Sequence, residues 1–100
     1  LDGASSTINI LPEIVDKVGK LVEVHLDGGI RSGQDVVKAM CLGAKGTYIG
    51  RAFLYGLGAL GKEGVTKALN IIKTETDMTM ALCGRRDIHD LNRDNIYTIK

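Results

Sequence analysis

Two short clusters carry the groups that could do chemistry: Asp27-Gly28-Gly29-Ile30-Arg31 and Gly50-Arg51. Adjacent glycines let a chain turn sharply and bring bare N–H groups within reach of an anion. An arginine adds a planar fork of donors matched to phosphate oxygens. Each cluster follows an apolar, β-prone run and precedes a helical pattern, whose positive N-terminal end points the same way. One such loop is a weak signal. Two of them, one strand–helix unit apart, point to a phosphate site built from consecutive loops. The plainer alternative is also open: glycines that only make turns, and arginines paired with neighbouring carboxylates.

The other reactive residues are weaker candidates. His25 shares a strand face with Glu23 and Asp27 by two-residue alternation, and is expected as a packed, hydrogen-bonded interior side chain. His89 lies in a polar tail and is expected in solvent. Cys41 and Cys83 show no Cys-x-x-Cys pattern and no histidine at metal-ligand spacing, so both read as reduced thiols on apolar helix faces. Gly56-Leu57-Gly58-Ala59-Leu60-Gly61 matches the glycine spacing of a dinucleotide loop, but Ala52–Tyr55 makes a poor strand before it. A loose glycine-rich join between two helices is the better reading. Arg85, Arg86 and Arg93 are offset by Asp87, Asp90 and Asp94, giving a solvated, salt-bridged tail.

The elements that must position these groups follow from periodicity. Ile8, Leu11, Ile14, Val15 and Val18 predict a helix from Ser5 to Gly19, capped by Asn9, with Pro12 in its first turn and Gly19 as a left-handed stop. Leu21–Leu26 and Gly46–Ile49 predict two strands. Between them Ser32–Leu42 predicts a helix with a capping-box-like Asp35, its apolar face formed by Val36, Val37, Met40 and Cys41. Ala52–Leu60 is a short apolar helix. Lys62–Cys83 is a long one, with Val65, Leu69, Ile72 and Met80 on one stripe and Gly84 closing it. Ile88, Leu91, Ile96 and Tyr97 could dock the tail, and Met78 and Met80 read as apolar filling. Alternating strands and helices imply a parallel sheet with right-handed crossovers. Two parallel strands need covered faces and further neighbours, so the pattern reads as part of a larger sheet. In closed eight-stranded α/β barrels, the loops after strands seven and eight and a short extra helix often bind phosphate, and Ala52–Leu60 suits that helix.

Bulk properties exclude little. The 100 residues are 44% hydrophobic and 25% charged, with a net charge of +1. That balance gives no reason to expect nucleic acid as a partner. No apolar run reaches spanning length and no signal-peptide pattern is present, so an intracellular protein is expected.

Several stretches, in this order, resemble the FMN-dependent 2-hydroxy-acid oxidases and dehydrogenases, which include glycolate oxidase and the flavin L-lactate dehydrogenases. They are Leu1-Asp2-Gly3, the run from Val24 through Asp27-Gly28-Gly29-Ile30-Arg31 to Val36, Leu42–Gly46, and Ile49-Gly50-Arg51-Ala52-Phe53-Leu54-Tyr55-Gly56. The resemblance runs from Leu1 to at least Gly84. It implies that residues 1–100 are the C-terminal quarter of a (β/α)8 TIM barrel, holding strands seven and eight with their helices. It implies FMN as cofactor, with Asp27 on the ribityl hydroxyls. The amides of Gly28, Gly29 and Gly50, with Arg31 and Arg51, would hold the phosphate, and Ile30 lies in the same loop.

By the same resemblance, the parent reaction oxidises a small (S)-2-hydroxy acid to the 2-oxo acid. The family's histidine base and substrate-gripping arginine sit in a Ser-Asn-His-Gly-x-Arg-Gln stretch just before the Leu-Asp pair. They are therefore expected outside these residues, and no catalytic residue is assigned here. The implied partners are FMN, the hydroxy acid in the complete enzyme, and the remaining barrel segments or further copies of the chain. The implied location is cytoplasmic, with peripheral attachment to the inner membrane conceivable for the complete enzyme. A rival expectation is a non-catalytic barrel fragment that self-associates. A second rival is another phosphate-binding barrel family, such as relatives of IMP dehydrogenase or type 2 isopentenyl-diphosphate isomerase. The Leu1-Asp2-Gly3 and Phe53-Leu54-Tyr55-Gly56 contexts fit those less well.

Overall fold

Helices and strands alternate along the chain in a computed structural model that describes residues 1–97. In order they are α1 (Thr7–Val18), β1 (His25–Asp27), α2 (Gly33–Cys41), β2 (Gly46–Tyr48), α3 (Arg51–Leu60) and α4 (Lys62–Leu82). Two short 3-10 turns, Ile88–Asp90 and Arg93–Asn95, follow. The strands pair in parallel, with His25 opposite Gly46, Leu26 opposite Thr47 and Asp27 opposite Tyr48. Helix α2 makes the crossover between them, so β1, α2 and β2 form one βαβ unit.

The first helix falls within the expected range Ser5–Gly19 but differs at its ends. It begins after Ser6 and not at Asn9, and the Ser6 side chain makes no capping bond. Pro12 therefore lies inside the helix, where it removes the bond to the Ile8 carbonyl. An interior proline costs about 3 kcal/mol. The helix persists because Leu11 is buried while Ile8 and Val15 pack beside it on Leu26, Ile30, Ala39 and Ala44. Full burial of a side chain such as Leu11 contributes about 1.5–3 kcal/mol, and the half-buried Ile8 and Val15 each add a part of that. Gly19 ends α1 at φ −62°, so it is not the left-handed stop its residue type suggested.

Strand β1 is half the length expected. Leu21 and Val22 are exposed and lie in a turn, with Leu21 and Val22 N–H groups still bonded to the Val18 carbonyl. Helix α2 starts as its sequence indicates: the Ser32 hydroxyl accepts from the Asp35 amide at 3.2 Å. The Asp35 carboxylate accepts from the Arg31 amide at 3.0 Å, one residue earlier than a standard capping box requires.

Two apolar clusters share α2. Ala39 and Val36 face α1 and the sheet, whereas Val37 and Cys41 face Met80 and Leu91. The single apolar face expected for α2 is thus two faces, each covered. Ile88 and Ile96 pack on the second cluster, but Tyr97 is 89% exposed and joins neither cluster of the described residues. On α4, Met80 is buried while Leu69 and Met78 are exposed, because the face meeting α2 and α3 runs through Gly64, Ala68, Ile72 and Thr76.

Gly56 and Gly58 are not in a loose join. Both lie within α3, and the only linking residue between α3 and α4 is Gly61. Gly56 and Gly64 let the two helices cross backbone to backbone: a Cβ on Gly64 would collide with the Gly56 carbonyl, and one on Gly56 with the Gly64 carbonyl. The tail is tied back to α1 by Arg93, which donates to Asp16 at 2.8 Å and to the Pro12 carbonyl at 3.2 Å.

Candidate cofactor site

The C-terminal ends of both strands open on one cleft of about 140 Å³. Its lining is Asp27, Gly28, Gly29, Ile30, Arg31, Tyr48, Gly50, Arg51 and Ala52. All seven residues singled out by sequence therefore meet at one place. Parallel pairing explains why: strands of the same direction end on the same side, so the loops that follow them are neighbours.

Local backbone geometry shapes the cleft. Gly28 and Gly29 stand at φ +105° and +82°, a left-handed pair that side-chain-bearing residues rarely adopt. This turn leads from β1 into Ile30, whose buried side chain anchors the loop in the core. The Thr7 hydroxyl donates a long bond (3.4 Å) to the Gly28 carbonyl, tying the turn to α1. The first amide of α2, on Gly33, donates to the Glu75 carboxylate at 3.2 Å, which ties the same loop to α4. Gly50 precedes α3 directly, so the positive end of that helix also faces the cleft.

The charges are set for an anion. Neither the Arg31 nor the Arg51 guanidinium forms an ion pair among the described residues. The alternative of arginines paired with nearby carboxylates thus finds no such pair here. Asp27 lines the same cleft, and its carboxylate accepts no hydrogen bond among the described residues.

His25 is more open than an interior histidine, with a side chain 37% exposed. It is nevertheless hydrogen-bonded: Nε2 meets Glu23 at 3.3 Å and Nδ1 meets the Tyr48 hydroxyl at 3.3 Å. His89 is exposed in the first 3-10 turn, where its amide donates to Asp87. Cys41 is buried and Cys83 exposed, and burial, aided by nearby Cys83, pushes the Cys41 thiol pKa up.

Sequence reasoning missed three contributors. Tyr48 lines the cleft, and counting back two residues from Gly50 on the same strand face would have found it. Thr7 and Glu75 support the loop from 21 and 42 residues away, and no local pattern announces them.

Two larger hollows lie elsewhere, of about 430 and 380 Å³. One runs along a single face of α4, from Glu63 to Glu75. The other follows the outer edge of β1 beside α1. Neither gathers backbone amides and arginines at strand ends, so the smaller cleft is the better chemical candidate.

Fold and cleft define a class: a parallel α/β chain with anion-suited loops at its strand ends. The model of the family described as FMN-dependent dehydrogenase matches residues 1–98, and the chain belongs to that family. It is 50% identical over 96 residues to pre-mycofactocin synthase of Mycolicibacterium smegmatis, covering 96% of this chain and 24% of that protein. It is 46% identical over 93 residues to 2-hydroxyacid oxidase 1 of Mus musculus, covering 93% and 25%. It is 49% identical over 92 residues to an L-lactate dehydrogenase of Caulobacter vibrioides, covering 92% and 24%.

Among solved structures, a soluble mutant of the membrane-associated (S)-mandelate dehydrogenase from Pseudomonas putida superposes with a TM-score of 0.90 at 43% identity. That match covers 95% of this chain and 27% of the other. The chain spans about a quarter of the length of the curated relatives it matches. FMN is the cofactor of this family. The cleft's groups fit it: a turn of bare amides and two guanidinium groups without an ion pair among the described residues suit a phosphate monoester, and a carboxylate, when ionised acceptor-only, suits hydroxyl groups. No helix among the described residues is long and apolar enough to cross a membrane.

Proposed function

We propose that this chain forms the phosphate-binding end of an FMN site in an oxidoreductase that converts a small (S)-2-hydroxy acid, of the L-lactate or glycolate type, to the 2-oxo acid. The observation that carries the reading is the convergence of Asp27, Gly28, Gly29, Ile30, Arg31, Gly50 and Arg51 on one cleft. In this reading residues 1–100 are the C-terminal quarter of a (β/α)8 barrel, with β1 and β2 as its strands seven and eight. Family membership, and a span of about a quarter of the relatives' length, support that assignment.

The Gly28, Gly29 and Gly50 amides and both arginines hold the phosphate, and Asp27 accepts from the ribityl hydroxyls. Bound FMN supplies a two-electron acceptor for the substrate. This chain's residues fix where the cofactor lies; the base and the arginine for the substrate carboxylate belong to other segments of the barrel. The full enzyme is proposed as cytoplasmic; the relative from Pseudomonas putida is described as membrane-associated.

The test is FMN affinity of the natural full-length protein carrying Arg51→Ala or Lys45→Ala. Lys45 is exposed and outside the cleft lining. A charge-assisted hydrogen bond contributes about 1.5–3 kcal/mol, so Arg51→Ala is expected to weaken FMN about tenfold to a hundredfold. Lys45→Ala should change it less than about twofold. Equal retention of flavin by both variants would sink the assignment. A second reading, favoured by the identity with pre-mycofactocin synthase, keeps the FMN site and replaces the hydroxy acid with a different substrate. Formation of a 2-oxo acid from L-lactate or glycolate separates the two.

A further inference from the structure

We infer that Tyr48 is a further cofactor-binding residue, whose phenol oxygen accepts a hydrogen bond from the polyol part of the flavin. The inference rests on the proposed FMN site. Tyr48 lines the cleft, remains 56% exposed, and stands opposite Asp27 in the parallel register. Side chains at such paired positions leave the sheet on the same face, so a phenol and a carboxylate form the floor beneath the two loops.

The direction of the phenol's hydrogen bond follows from its neighbours. Glu23, when ionised, only accepts, so the His25 Nε2 facing it carries the proton. With Nε2–H turned to Glu23, the tautomer that leaves Nδ1 unprotonated lets it accept, and the Tyr48 hydroxyl then donates to it. Gly46 makes the room for this contact: a Cβ there would press on the His25 ring at 3.1 Å. The two rings also pack, with centroids 5.8 Å apart.

In that tautomer the phenol's proton is used on His25, and the phenol offers the cleft only lone pairs. Asp27 offers only lone pairs as well. A floor made of two acceptors attracts hydroxyl donors and repels phosphate, whereas the rim of amides and arginines does the reverse. The cleft is thereby divided by donor sense: polyol on the strand-end floor, phosphate at the loops. Tyr48 contacts the cofactor; His25 and Glu23 are positioning residues that set the sense of its bond.

The experiment compares FMN with riboflavin, which has the polyol and lacks the phosphate. Flavin is stripped from the natural full-length protein, and affinities are read by quenching of flavin fluorescence. Tyr48→Phe removes only the hydroxyl and should weaken both flavins by the same factor, about two- to tenfold. Arg51→Ala should weaken FMN and leave riboflavin unchanged. Unchanged affinities in Tyr48→Phe, beside a weakened FMN in Arg51→Ala, would overturn the role of Tyr48 and leave the phosphate site standing. A loss in Tyr48→Phe confined to FMN would overturn the polyol assignment. If neither variant loses affinity, both readings fall together.

Discussion

At the scale of single residues, burial and hydrogen bonding assign different jobs to groups of the same chemical type. Arg93 closes an ion pair with Asp16 on the tail, whereas Arg31 and Arg51 face the cleft without one among the described residues. The cysteines divide in the same way. Cys83 is exposed at the end of α4, and Cys41 is buried between α2, Met80 and Leu91. Burial favours the neutral thiol, nearby Cys83 adds to that, and Arg85 opposes it; the net direction is upward from the ordinary 9.0.

A raised pKa in the folded state makes a signed prediction. Below the ordinary value both states hold the proton and the contribution of Cys41 is fully present. Above it the unfolded thiol ionises first, so that contribution is lost as pH rises through the higher folded value. The stability advantage of the natural protein over Cys41→Ala should therefore shrink above about pH 9 and stay level below it. Urea unfolding of both proteins between pH 7 and 10 measures that gap, and a constant gap across the range would rule the effect out.

At the scale of elements, the crossing of α3 and α4 gives two glycines opposite expectations. Gly64 is buried against the Gly56 carbonyl, and an added methyl group there has no space. Overpacking of this kind costs about 1–3 kcal/mol, more than the roughly 1 kcal/mol that alanine gains over glycine in a helix. Gly58, on α3 two residues after Gly56, has nothing among the described residues within 4 Å of a Cβ. Gly64→Ala should lower the unfolding temperature of the natural protein, and Gly58→Ala should leave it equal or raise it. A Gly64→Ala protein as stable as its parent would mean that the helices do not cross so closely.

The same elements show what sequence can and cannot carry. The start of α2 was legible because its cap is local: Ser32 and Asp35 lie three residues apart and their bonds close within one turn. The cleft was legible for a related reason, since parallel strands separated by one helix must end side by side. The cap of α1 and the interior place of Pro12 were not, because proline's usual place in a first turn is overridden by packing of Ile8 and Leu11 on β1 and α2. Nor was the extent of β1. Leu21 and Val22 are as apolar as any strand residue, but β2 offers partners only to His25–Asp27. The glycine run at 56–61 gave spacing without a partner, and the partner, Gly64, is set by the angle at which two helices meet.

At the scale of the whole molecule, a strand edge and several apolar helix faces are left open. A two-stranded parallel sheet is marginal alone, and parallel sheets are stable when both faces and edges are covered. Here the outer edge of β1 borders an apolar hollow with Ile10, Ile14 and Val24, and α3 and α4 expose Leu54, Tyr55, Leu57, Leu60, Leu69 and Leu82. In the proposed barrel these surfaces meet the preceding strands and helices. Residues 1–100 produced alone have only one another for cover, and exposed strand edges and apolar faces favour association between copies. The isolated chain should therefore show an average mass in sedimentation equilibrium that rises with concentration, and should bind FMN much more weakly than the full-length protein. A strictly monomeric chain with a cooperative unfolding transition would show that α1, α2 and the tail suffice as a core. In that case the exposed faces need no barrel to cover them, and the proposed quarter would be an independent domain.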